Sequence, residues 1–151
     1  MAKKLTVTTE IGTFTRQTAR PYTYVVVANG GSDWAIREHL KFELDRAKSN
    51  VEYWTAVRDF ERDAPLNYTV TPNRPYSAVE VAAELAKNQA LVDQIESGQA
   101  LADQTAKAAA APFAALTWCS RLDLARKEQR TWAARFREVR IYDVATGQVV
   151  R

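Results

Sequence analysis

The stretch "ARPYTYVVVANGG", residues 19–31, decides how the rest of the chain is read. From Tyr24 to Ala28 it is an unbroken apolar run with three valines, and strands favour residues branched at Cβ. A strand that is apolar on both faces is typical of the middle of a sheet, covered by other elements. The Asn-Gly-Gly that follows tolerates the backbone conformations that end a strand. We therefore predict a central strand here.

The residues before this strand predict a β-hairpin. The segment "KLTVTTEIGTFTRQT", residues 4–18, is rich in threonine and valine and alternates with a period of two on both sides of Ile11 and Gly12. We expect strands at about 4–10 and 13–18, joined by a tight turn.

The middle of the chain predicts two long helices. Ser32 or Asp33 is a suitable N-cap for the first, which spans about 30 residues and ends before Pro65. Its apolar residues recur at three- and four-residue steps, namely Ile36, Leu40, Leu44, Ala47, Val51, Trp54 and Val57. Residues 65–76, "PLNYTVTPNRPY", contain three prolines and predict a loop.

A capping-box pattern, Ser77 with Glu80, opens the second helical run, which continues to Ala111. At 1.5 Å per residue the two runs would reach roughly 45 and 50 Å, whereas a globule of this size has a radius of gyration of about 15 Å. Either the runs are interrupted, near Asn50 and Gly98, or they pair antiparallel. The apolar seams on both runs favour a paired helical hairpin.

The last third of the chain returns to mixed structure. "FAALTWC" predicts a short strand, and Ser120 with Asp123 predicts the cap of a helix over about 121–134. The alternating "RFREVRIYDV" predicts another strand, and "QVV" is expected to pair back after a turn.

These elements predict one α+β domain over residues 1–151. A small antiparallel sheet combines the N-terminal hairpin and strand with the C-terminal strands. A long antiparallel helical hairpin is inserted, and one further helix is added. The expected β body is 1–31 and 113–151, and the expected helical hairpin is 32–112.

Composition excludes several classes of protein. No apolar stretch is long enough to span a bilayer, and "MAKKLTVTTE" has no apolar core of a secretory signal. One cysteine and one histidine can form neither an internal disulfide nor a Cys/His zinc site. We expect a soluble cytoplasmic protein without a membrane partner.

The net charge of +3 is unevenly distributed: residues 1–31 carry +3, residues 32–112 carry −4 and residues 113–151 carry +4. If the two ends meet in one folded unit, that unit could attract an acidic partner. An ordinary solvated surface is the alternative.

Motifs for catalysis are absent from the sequence. The five glycines are not spaced as a phosphate-binding loop, and no nucleophile elbow is present. His39 and Glu43 have a spacing that metal ligands sometimes use, but two ligands are too few for a site. Cys119 is expected to be a buried structural thiol. We expect no enzymatic activity, no metal and no cofactor.

The basic residues at the two ends are the candidate binding residues. Phosphate binding needs several cations on one face, with exposed aromatic rings if single strands are stacked. The candidates are Arg16, Arg20, Arg126, Lys127, Arg130, Arg137 and Arg140. The nearby aromatic residues Tyr22, Tyr24, Trp118 and Tyr142 serve either this surface or the core.

Two segments, "GTFTRQTARPYTYVVV" and "WCSRLDLARK", together resemble a pattern in uncharacterised small proteins carried by phages and plasmids. The matching residues are Thr15, Arg16, Thr18, Tyr22, Val25, Val26, Trp118, Arg121, Leu124, Ala125 and Lys127. The resemblance covers about 30 of the 151 residues and is absent from the helical middle. It implies a mobile-element setting, in which small proteins often bind and block a host complex.

The first functional hypothesis is thus a non-enzymatic protein-interaction module, an inhibitor of a host defence or nucleoprotein complex encoded by a phage or plasmid. The alternative is a nucleic-acid-binding protein that uses the basic β body and the third helix. In either case the long helices could also pair two copies of the chain as a homodimer.

Overall fold

The computed structural model describes residues 1–63 and 76–151, with side chains described for residues 1–59 and 76–151. The described backbone has five strands, β1 (Lys3–Thr9), β2 (Gly12–Thr18), β3 (Tyr24–Ala28), β4 (Ala114–Cys119) and β5 (Val139–Asp143). It has four helices, α1 (Asp33–Asp63), α2 (Ala78–Glu96), α3 (Gln99–Ala110) and α4 (Leu122–Trp132). The predicted α+β class is confirmed. The predicted loop at 65–76 lies, apart from Tyr76, outside the described residues.

The chain divides into two compact units, Met1–Ile36 with Asp103–Arg151, and Arg37–Ala102. The first unit holds thirteen lysines and arginines and seven carboxylate residues, a net charge of +6. The second holds eight against eleven, a net charge of −3. The uneven charge of the sequence therefore follows the division of the fold.

The first unit is built on β3, which lies between β4 and β5 in an antiparallel sheet. Val25, Val26 and Val27 are fully buried. Because successive side chains of a strand point to opposite faces, Val25 and Val27 face one layer and Val26 faces the other. The predicted central strand, covered on both faces, is confirmed.

The β1–β2 hairpin covers one face of this sheet. Val7 and Phe14, which are opposite each other in the hairpin register, pack with Val25, Trp118 and Tyr142. The prediction of a single sheet is wrong here, because among the described strands β1 and β2 form a two-stranded sheet separate from the sheet of β3, β4 and β5. The hairpin is apolar on one face, and that face is buried by packing over the central sheet.

Helix α4 covers the opposite face. Ala125 is fully buried and packs with Val26, Cys119 and Ile141. The predicted Ser120 cap is wrong: the N-cap is Arg121, and it has no side-chain cap hydrogen bond. The carboxylate of Asp123 instead accepts two hydrogen bonds from the Arg121 guanidinium, at 2.9 and 2.6 Å.

The C-terminal "QVV" returns to β5 as predicted, as an isolated bridge between Tyr142 and Val149. The amide of Val150 also donates to the carbonyl of Ile141 at 2.8 Å.

Close backbone packing occurs at the end of β3. An ideal Cβ built on Gly30 would lie 2.1 Å from the carbonyl oxygen of Ala108 in α3, so only glycine fits there. On the neighbouring Gly31, a Cβ would lie 3.5 Å from Cγ1 of Ile36, which is ordinary contact.

In the second unit, α1 and α2 form an antiparallel hairpin. The Asn50 side-chain amide donates to Oδ1 of Asn88 at 3.0 Å. Lys48 Nζ lies 2.8 Å from Oε1 of Glu96. The rings of Trp54 and Tyr76 meet edge to face, 4.9 Å between centroids. Later positions on α1 thus meet earlier positions along α2, which confirms the predicted helical hairpin.

The second predicted helical run is two helices, because Gly98 (φ 84°) interrupts it between α2 and α3. Glycine occupies this left-handed conformation without the steric cost of a Cβ. The other suggested interruption, at Asn50, is wrong: α1 continues through it, and the Asn50 side chain is used in the contact with α2.

Within residues 1–63 and 76–151, no helix has the length and apolar character needed to cross a membrane.

Candidate interaction surfaces

The seven predicted cations do not form one patch. Two lie at the β1–β2 hairpin, on one side of the central sheet, and three lie on α4, on the other side. The hairpin pair is Arg16 and Arg20, the α4 group is Arg126, Lys127 and Arg130, and Arg137 and Arg140 lie before and within β5. The packing of hairpin and helix on opposite faces therefore separates them.

Arg140 is bonded to groups of its own chain. Its guanidinium forms ion pairs with Glu138 and, at 3.6 Å, with Glu10, and it lies 4.9 Å from the centre of the Phe113 ring. It also donates to the hydroxyl of Tyr142 at 3.2 Å. The bonds to Glu138 and Tyr142 raise the pKa of Arg140 above its usual value. A ligand at this residue would have to compete with all of these contacts.

The Tyr142 hydroxyl connects this network to the hairpin turn, because it donates to Oε1 of Glu10 at 2.6 Å. Burial raises the pKa of the Tyr142 hydroxyl, and the bond to Glu10 raises it further. The same bond lowers the pKa of Glu10. The charge-assisted hydrogen bond between Tyr142 and Glu10 therefore holds the turn of the hairpin against β5.

The remaining predicted cations have mixed surroundings. Arg126 donates to the backbone carbonyl of Arg151 at 2.8 Å, while Lys127 and Arg130 are exposed. Arg137 lines an open cavity of about 600 Å³ together with Asp33 and Glu138. The Glu138 carboxylate is bonded to Arg140, so it is already used by another cation.

The hairpin pair has a different environment. The Arg16 guanidinium lies 4.8 Å from the centre of the half-buried Tyr22 ring. Arg20 lines a cavity of about 380 Å³ together with Lys3 and Lys4. These lysines were not among the predicted binding residues. The antiparallel register could have indicated them, because it places Lys3 opposite Thr18, two residues before Arg20. Of the four nearby aromatic residues, Trp118 and Tyr142 belong to the core, while Tyr22 and Tyr24 are half-buried.

A surface that the sequence reasoning missed lies on α1. Glu38, Asp45 and Glu52 are exposed carboxylates at seven-residue spacing, so they form one line along the helix. Phe42 and Tyr53 lie beside this line and are 63% and 38% exposed. They are eleven residues apart, about three helical turns or roughly 16 Å. We call these five residues the α1 outer face.

The carboxylates of the α1 outer face have no ion-pair partner among the described side chains, and Lys48, which is paired with Glu96, also interacts electrostatically with Asp45. Neither Glu38 nor Asp45 nor Glu52 forms an ion pair with any residue whose side chain is described. Some other charges of the helix are paired, since Arg46 contacts Glu43 and Lys48 contacts Glu96. The sequence signal was the seven-residue repeat of acids next to aromatic residues.

The candidate catalytic groups are poorly placed for chemistry. Cys119 is buried under α4, and burial raises the pKa of its thiol, which disfavours the nucleophilic thiolate. His39 is exposed, and its suggested partner Glu43 contacts Arg46 at 3.6 Å. In the parts of the chain that are described, no three His, Cys, Asp or Glu residues are grouped to hold a metal ion.

No protein-family model, no curated protein and no solved structure matches this chain.

Proposed function

We propose that the protein is a non-enzymatic interaction module that binds another protein through the α1 outer face. The observation that carries the proposal is that exposed aromatic rings and unpaired carboxylates share one helical surface. Aromatic side chains dominate the energy of protein interfaces, because burying one of their rings removes a large apolar area from water. Burying Phe42 in a partner would contribute about 1.5–3 kcal/mol.

The partner is expected to present a basic surface with an apolar pocket. Complementary charge at the rim of an interface mainly speeds association and fixes orientation. Glu38, Asp45 and Glu52 extend along about two helical turns on each side of the centre of the surface, so an elongated basic segment would meet all three. A basic helix or strand is the kind of partner that fits this geometry.

The test is a pull-down from the cells that carry the protein, performed at low salt with three baits. The baits are the wild type, Phe42→Ser, and the matched control Val79→Ser, which alters an apolar residue on α2 that is 79% exposed. A stoichiometric partner should be retained by the wild type and by Val79→Ser, and lost from Phe42→Ser. No partner, or equal retention by all three baits, contradicts the proposal.

A charge variant separates the two parts of the surface. Replacing the acids together, as Glu38→Gln, Asp45→Asn and Glu52→Gln, should slow association with the isolated partner and weaken its salt dependence, with a smaller effect on dissociation. An unchanged association rate would show that the carboxylates have no part in binding.

The resemblance to small phage and plasmid proteins supports a more specific proposal. We infer that the partner belongs to a host defence or nucleoprotein complex in the cytoplasm, and that binding inhibits it. Expression of the wild type should then protect an invading phage or plasmid from the host, while Phe42→Ser should not. Equal protection by both would contradict this mechanism.

A further inference from the structure

Four cations are gathered at the open end of the β1–β2 hairpin. The antiparallel register places Lys3 opposite Thr18, Lys4 opposite Gln17, and Leu5 opposite Arg16, and Arg20 follows just after β2. None of the four cations forms an ion pair with a residue whose side chain is described. Like charges repel one another, so an anion bound at this end of the hairpin would be stabilised.

A cavity of about 380 Å³ lies among these cations, which is within the size range of pockets for small ligands. Lys3, Lys4 and Arg20 supply charge, and Leu5 and Pro21 supply apolar surface. The described lining contains no carboxylate; its other members are Met1, Thr18 and Ala19. The cavity therefore suits a ligand that combines an anion with an apolar ring.

Arg16 and Tyr22 form a stacked pair at the same end of the hairpin. The Arg16 guanidinium is held against the Tyr22 ring, 4.8 Å from the ring centre. An arginine stacked in this way keeps its outer edge available for a phosphate oxygen. Arginine and aromatic planes are also the surfaces on which unpaired bases stack.

We propose that this end of the hairpin binds a nucleoside phosphate, either as a free nucleotide or as part of a single strand of nucleic acid. The phosphate is held by Lys3 and Arg20, and the base lies against the apolar part of the cavity, Leu5 and Pro21. The site is in the first unit, whereas the α1 outer face is in the second, so either proposal can fail without the other.

The test is fluorescence anisotropy with a labelled short oligothymidine and the full chain. At low salt the wild type should bind, and its affinity should fall with rising salt, with a log–log slope of about −0.7 for each phosphate contacted. The variant Lys3→Gln/Arg20→Gln should bind at least about tenfold more weakly and reduce the magnitude of the slope by about 1.4. Its circular dichroism should match that of the wild type, because both side chains are exposed.

The matched control is Lys107→Gln/Arg135→Gln, which removes the same charge from exposed residues of the first unit outside the cavity. It should bind within about twofold of the wild type at about 0.15 M salt, where charges more than about 8 Å from the bound anion are largely screened. Absence of binding by the wild type, or equal weakening in both variants, overturns the proposal.

Competition identifies the source of the ligand. Displacement of the labelled oligomer by a free nucleoside monophosphate indicates a nucleotide pocket. Displacement by the unlabelled oligomer, but not by the monophosphate, indicates a strand-binding site. Displacement by polyglutamate as effectively as by an oligonucleotide of equal charge overturns the proposal, because the site would then recognise charge alone.

Discussion

Replacing Gly30 by alanine should destabilise the protein far more than the same change at its neighbour, Gly31. At Gly30 the new Cβ would lie 2.1 Å from the carbonyl oxygen of Ala108, and 2.7 and 2.8 Å from that residue's carbonyl carbon and Cα. These atoms belong to the backbone of α3, so no side-chain rotation can relieve the contact. Since carbon atoms pack best at about 3.5–4.0 Å, the two backbones must separate by more than about 1 Å.

Such a shift also disturbs the hydrogen bond in which the Gly30 carbonyl accepts from the amide of Arg137 at 2.9 Å. Overpacking of this kind costs about 1–3 kcal/mol, and a clash between two backbones belongs at the upper end, about 2–3 kcal/mol. For a chain of this length that corresponds to a fall in Tm of roughly 5–10 °C.

Gly31→Ala is the matched control. Neither glycine has a positive φ, so alanine is strained at neither position by its backbone conformation. The Cβ at Gly31 makes ordinary contact with Ile36, and the expected change is within about 0.5 kcal/mol. Urea and thermal unfolding, followed by circular dichroism and tryptophan fluorescence, would measure both variants. If Gly30→Ala unfolds at the same urea concentration as Gly31→Ala, the close approach of β3 and α3 is refuted.

Two further predictions concern polar contacts. Asn88→Leu should lower the free energy of unfolding by about 1–3 kcal/mol, because it leaves the Asn50 amide without its partner. The double variant Asn50→Leu/Asn88→Leu should recover part of that loss in urea titrations. A double variant less stable than both single variants would contradict this account. Tyr142→Phe should destabilise the protein at neutral pH by removing the donor to Glu10. Because that bond lowers the folded-state pKa of Glu10, its stabilisation is present above the unfolded pKa of about 4.3 and is lost as pH falls through the lower folded value. The difference in stability between wild type and variant should therefore shrink between pH 7 and about pH 3, and a constant difference would show that the Glu10 carboxylate is not involved.

Much of the fold could be predicted because its signals are local. The valine run of β3 predicts its own burial, and the spacing of apolar residues predicts α1 within a few residues of its ends. Ser77 and Glu80 form the predicted capping box, with hydrogen bonds of 3.1 and 3.0 Å. In each case a few neighbouring residues contain the whole signal.

What could not be predicted depends on contacts between distant residues. The pairing of β1 with β2 alone is decided by how Phe14 packs across the core, which periodicity does not report. The contacts of Arg140 with Glu10 and with the Phe113 ring join residues far apart along the chain. The hairpin and α4 pack on opposite faces of the central sheet, so the candidate cations of the two elements lie on different sides of it. Lys3, which was not a candidate, lines the same cavity as Arg20.

The placement of β3 between two late strands determines the order in which the polypeptide can assemble. β3 ends at Ala28, whereas its partners begin at Ala114 and Val139. At a translation rate of about 5–20 residues per second, the ribosome needs several seconds to supply the first of them. The α1–α2 pair joins residues closer in sequence and can form during that interval. Meanwhile the nascent valine run has no strand beside it and is prone to aggregate, and the charged Arg20 and the ring of Pro21, directly upstream, act as gatekeepers against intermolecular pairing.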